Sequence, residues 1–180
     1  MRKFWTDAKG WAPNETAEML NKSRLDWQVS LSKCLKIWIV EPHDDNESGK
    51  LILAWVNLGS LVEGTMKLFL SVWNHDYKRD VEAIKVKGDL VEPDSLQLDQ
   101  MRKFFKKSVW LKDEEVWDSW ILKIQQRRNA VHAYKNRDIG TFEEFYDDVR
   151  KYREFLLFIN DRLIYPNDEI YKPREEPSFR

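Results

Sequence analysis

The chain has 180 residues, with 30 Lys and Arg against 31 Asp and Glu, so its net charge of −1 excludes a polycation that tracks nucleic acid by bulk charge. That length fits one domain with a hydrophobic core, and six Gly, six Pro and 34% charged residues favour helices. The single cysteine, Cys34, excludes an internal disulfide framework and fits a reducing, cytoplasmic setting.

Residues 1–13 read as an N-terminal tether ending at Pro13, without the apolar run of a signal peptide. The first helix is expected from Asn14 or Glu15 to Val40. Leu20, Arg24, Trp27, Leu31, Cys34 and Trp38 recur along it at spacings of three and four. In that row Cys34 reads as a small core residue. Pro42 and the polar run His43 to Glu47 end the helix.

A second helix spans roughly Ser48 to Trp73, apolar around almost its whole circumference and therefore central. Glu63 and Lys67 stand i,i+4 on its one polar strip and are expected to pair. Its longest uncharged run, Leu51 to Val62, is too short to cross a bilayer. Residues 74–93 are charged and aperiodic and read as a long connection.

The run Asp94 to Trp110 is helix-like. The next helix starts near Asp113, with Val116, Trp117, Trp120, Ile121 and Ile124 as its stripe. In the last helix Thr141 and Glu144 form a capping box. Phe142, Phe145, Val149, Tyr152, Leu156, Ile159 and Leu163 then keep a strict alternation of three and four. Such a seam packs along another helix or along a second copy. Residues 166–180 read as a flexible C-terminal tail. The fold class expected is all-α, a bundle of four to five helices spanning 14–165.

The stripe of the penultimate helix stops at Arg127, and the eight residues from there to Tyr134, Arg-Arg-Asn-Ala-Val-His-Ala-Tyr, are the chemically richest of the chain. Guanidinium groups keep their charge and imidazole titrates near neutrality, so the pair can hold a phosphate and move a proton beside it. Arg128 and Asn129 share a helix face with His132, at i,i+4 and i,i+3. Arg127 lies about 140° round the ring from His132. Lys123, Arg127, Arg128, Lys135 and Arg137 form a basic island between acidic flanks, suited to a few phosphates. The bland alternative is a solvated face with a structural histidine. His43-Asp44-Asp45 and His75-Asp76 carry ligand-type residues, but no second set stands at metal spacing, so no metal or cofactor is expected.

Arg127-x4-His132-x-Tyr134 on the penultimate helix of an all-α bundle resembles the HEPN superfamily of ribonucleases and toxins, in the form paired with minimal nucleotidyltransferase antitoxins. The resemblance implies a homodimer that cleaves RNA without a metal. His132 would act as acid or base, the arginines would hold the phosphate, Asn129 would orient it, and Arg128, Lys123, Lys135 and Arg137 would bind the strand. Tyr134 would donate a hydrogen bond or be the hydroxyl that a nucleotidyltransferase-type antitoxin modifies. A toxin or anti-phage effector is the corresponding role. The family usually has Asn, Asp or His straight after the arginine, whereas here Arg128 stands there and Asn129 follows. Spacing and Tyr134 favour Arg127 as the arginine and the shared helix face favours Arg128; of the two, Arg127 is the one expected. Two other readings stand beside it: a silent HEPN-like module that binds RNA or protein, and a plain interaction scaffold.

Overall fold

Twenty-five residues with apolar side chains on nearly every side make the longest helix of the protein, and the other elements are arranged around it. The structure is a computed structural model and describes residues 5, 8–9, 12–39, 47–111, 114–132 and 134–164. Seven α-helices lie within them: α1 (Asn14–Lys22), α2 (Leu25–Ile39), α3 (Ser48–Val72), α4 (Asn74–Arg79), α5 (Leu98–Ser108), α6 (Val116–Arg128) and α7 (Phe142–Asn160). Between α4 and α5 a two-stranded ribbon pairs β1 (Lys85–Val86) with β2 (Asp89–Leu90). The expected helical class holds.

Helix α3, about 37 Å long, packs against α1, α2, α6 and α7. Ala54, Trp55, Leu58, Val62 and Met66 on it are completely buried. Removing that much hydrocarbon from water is the main stabilising term. A second cluster is aromatic: Trp117 and Trp120 meet Phe155 at ring-centroid distances of 5.3 and 5.4 Å. It ties α6 to α7.

Several elements differ from the sequence reading. The long first helix is two, because Ser23 Oγ donates back to Leu20 O at 2.6 Å and Arg24 turns left-handed (φ +46°). The Arg24 guanidinium then holds Asp26 at 3.0 and 2.8 Å and lies 3.8 Å over Trp27, which stays 60% exposed. Apolar spacing did not show this break, because local side-chain hydrogen bonds made it and left the phase of the pattern intact. Cys34 is half-buried on α2 rather than sealed in the core.

The connection at 74–93 is also structured. Its ribbon turns through Lys87 and Gly88, both at positive φ (54° and 94°), as a tight hairpin requires. Strands of two residues are too short to alternate. The helix expected from Asp94 begins only at Leu98, after a 3-10 turn at Pro93–Ser95, where Gln97 and Gln100 form a capping box.

On α7 the Thr141–Glu144 capping box forms as read, but Asp148 and Phe155 are more deeply buried than the seam residues Val149 and Leu156. Within the stretch read as a tether, Trp5 and Ala8 are fully buried. His43, Asp44, Asp45 and the tail 166–180 lie outside the described residues. Among the described residues no helix is long and apolar enough to cross a membrane.

Candidate functional site

Arg127 and Arg128 are consecutive on α6, so their side chains leave the helix about 100° apart and meet different neighbours. Arg127 turns towards α7 and is 5% exposed. Its Nη2 donates to Glu144 Oε1 at 2.8 Å, and its Nη1 stands 3.9 Å from Asp148 Oδ2. The guanidinium lies 4.8 Å over the Trp55 ring.

That corner is filled on every side. Asp148 accepts from Trp120 Nε1 at 3.0 Å and Lys123 Nζ at 2.7 Å, both on Oδ1. Trp55 Nε1 donates to Ile139 O at 2.8 Å, which pins the segment before α7. Gly140 adopts φ +63°, and a Cβ there would stand 2.5 Å from Arg127 Nη2. Glu144 serves twice, as cap of α7 through Thr141 N and as Arg127's partner. The Arg127 hydrogen bond holds the Glu144 carboxyl below its ordinary range, against a smaller opposing effect of burial.

Arg128 turns the other way, onto α3. Its stem crosses Gly59, where a Cβ would come within 2.5 Å of Arg128 Cδ. Its Nη1 donates to Glu63 Oε2 at 2.6 Å. The other Glu63 oxygen meets Lys67 Nζ at 3.1 Å, so the expected i,i+4 pair forms and Arg128 joins it. Burial is the largest single influence on Glu63 and pushes its pKa up. The hydrogen bonds from Arg128 and Lys67 together outweigh it and leave the carboxyl lowered.

After Arg128 the helix tightens into a 3-10 turn over Asn129–His132. Three residues per turn place Asn129 and His132 one above the other. His132 is exposed and Asn129 half-buried. With Val56, Ser60, Glu63, Arg128 and Val131 they line an open cleft of about 250 Å³. Arg128, Asn129 and His132 are thus brought together.

The other basic and aromatic residues singled out from sequence stand apart. Arg127 and Lys123 face the carboxylates of α7. Tyr134 is fully exposed at φ +54°, outside the cleft lining. Lys135 is exposed and Arg137 half-buried, also outside the lining. His75, on α4, contacts Arg79 at 3.2 Å, far along the chain from the cleft.

No family model, no curated protein and no solved structure matches this chain. The site is therefore read on its own chemistry. Ser60 and Val56 are cleft residues that sequence reasoning missed. A signal existed: Ser60, Glu63, Lys67 and Ser71 form one polar line along an otherwise apolar helix. An open pocket holding one guanidinium, one carboxamide and one imidazole can bind a phosphodiester and transfer a proton next to it.

Proposed function

We propose that the protein is a HEPN-like, metal-independent endoribonuclease that works as a cytoplasmic homodimer, with His132 moving the proton and Arg128 holding the phosphate. The observation that carries this reading is the convergence of Arg128, Asn129 and His132 on one open cleft. Arg128 Nη1 is committed to Glu63, but a guanidinium has five N–H donors, so others remain for a phosphate. Glu63 fixes the fork in place. Asn129 orients a phosphate oxygen or the imidazole.

In the reaction His132 takes the proton of the ribose 2′-hydroxyl and the 2′-oxygen attacks phosphorus. The 5′-oxygen leaves with a proton, giving a 2′,3′-cyclic phosphate and a 5′-hydroxyl. Base and acid are needed together, and one cleft holds one imidazole. A second copy facing the first would supply the other. Val131 (48% exposed), which lines the cleft, and Leu53 (52%), three residues before the cleft residue Val56 on α3, are apolar surface that such a partner would cover. Toxin or anti-phage activity, with Tyr134 as the accessible hydroxyl for a nucleotidyltransferase-type antitoxin, belongs to the same reading.

A silent RNA- or protein-binding module is the second reading, and one observation favours it: Arg127, the arginine at the family's spacing, is sealed among carboxylates. Incubation with RNA in EDTA separates the two. Cleavage to 2′,3′-cyclic phosphate ends that His132→Ala abolishes in a folded protein supports the nuclease; binding without cleavage supports the silent module.

A further inference from the structure

A second cavity is larger than the arginine–histidine cleft. It lies beyond the C-terminal end of α3, shares no lining residue with that cleft, and encloses about 390 Å³, enough for a small organic molecule. Phe69, Trp73, Tyr77 and Phe104 supply its aromatic walls, and Asp76 and Asp80 supply carboxylates. α4 explains the grouping. It starts straight after Trp73, so Asp76, Tyr77 and Asp80 follow at spacings of three and four and return to the same side.

The rings are held by their own contacts. Tyr77 packs edge-on against Phe104 at 5.1 Å, and its hydroxyl donates to Val91 O at 2.8 Å. Trp73 Nε1 donates to Arg162 O at 3.1 Å. Asp80 Oδ1 accepts from Glu82 N at 2.8 Å, which fixes its carboxylate at the turn. Among the described residues Arg162 is the one cation in the lining, and Glu114 neutralises it through a direct ion pair while Val109 O takes its Nη1. Among the described residues neither Asp76 nor Asp80 has an ion-pair partner, so the cavity keeps two carboxylates without a counter-cation at its aromatic walls.

We infer that this cavity is a binding site for a small organic cation, an ammonium ion on an apolar or aromatic body. Ring faces attract a cation through their quadrupole, and an ion-paired hydrogen bond from ammonium to carboxylate fixes its head. A neutral molecule gains only the apolar half of that recognition, and an anion is repelled. The site is independent of the nuclease reading.

The test uses the full chain, phenethylammonium as probe, and 2-phenylethanol and 3-phenylpropionate as neutral and anionic controls. Affinity is measured by calorimetry, and location by the NMR signal of the Trp73 indole N–H. The expected result is saturable binding of the cation with a Trp73 shift, at least ~10-fold tighter than the alcohol, and none of the anion. Asp76→Asn with Asp80→Asn keeps the acceptor for Glu82 and should abolish the preference for the cation. Equal binding of cation and alcohol, an undiminished preference in the double variant, or an unmoved Trp73 signal at saturation would each overturn the inference.

Discussion

Two arginines that adjoin in sequence occupy opposite environments. Arg127 is 5% exposed, with Glu144, Asp148 and the Trp55 face around it. Arg128 lies along α3, with one carboxylate that it shares with Lys67, and borders an open cleft with His132. A buried cation among carboxylates holds elements together. A half-exposed one whose carboxylate has a second cation can turn to a ligand. Charge alone does not distinguish them; the partners left behind when each is removed do.

The largest expected effect is on chemistry at the cleft. His132→Ala should lower RNA cleavage by ~10²–10⁴-fold, the usual worth of positioned proton transfer, while the thermal midpoint stays within about 2 °C of the parent. Loss of cleavage only alongside unfolding would assign His132 to structure.

Stability then separates the two arginines. Arg127→Ala empties the space over Trp55 and strips Glu144 of its hydrogen-bonded cation, while Asp148 keeps Lys123 and Trp120, and should cost about 1.5–3 kcal/mol in urea denaturation. Arg128→Ala leaves Glu63 still paired with Lys67 and should cost about 1 kcal/mol or less. Equal costs would erase the distinction.

Much of this was legible from sequence, with identifiable gaps. The all-round apolarity of α3, the Glu63–Lys67 pair and the Thr141–Glu144 box emerge where the spacing puts them. Which arginine is buried did not follow, because helical phase gives only the angle between them, and what lies on each side is tertiary. Asp148 was the overlooked signal. It follows Phe145 by three and precedes Tyr152 by four, and an acid at a core position requires a buried cation. The break at Arg24 and the hairpin at Lys87-Gly88 are set by local hydrogen bonds and positive φ, to which apolar periodicity is blind.

A smaller effect belongs to the backbone beside Arg127. Gly140→Ala places a Cβ at φ +63° against Arg127 and should cost about 1–3 kcal/mol. Gly59→Ala, by contrast, presses on the Arg128 stem, Cδ at 2.5 Å and Cβ at 3.1 Å, so a change in RNA affinity there, which Gly140→Ala should not give, would sharpen the contrast.

The smallest effect is acidic. The folded-state pKa of Glu144 lies below its ordinary 4.5, so its contribution is complete above that value and is lost as pH falls through the lowered pKa. Glu144→Gln should flatten the fall of stability below about pH 4.5, read by urea midpoints across that window. An acid limb of unchanged steepness would mean that the Arg127–Glu144 contact contributes nothing.

The most direct measurement is the ring spectrum of His132 by NMR, titrated with a short RNA carrying 2′-O-methyl sugars so that it binds uncut. The His132 resonances should move on titration, and the movement should vanish in Arg128→Ala while His75 stays still throughout. A His132 ring indifferent to the strand, or one that responds equally well without Arg128, would contradict a phosphate site at this cleft.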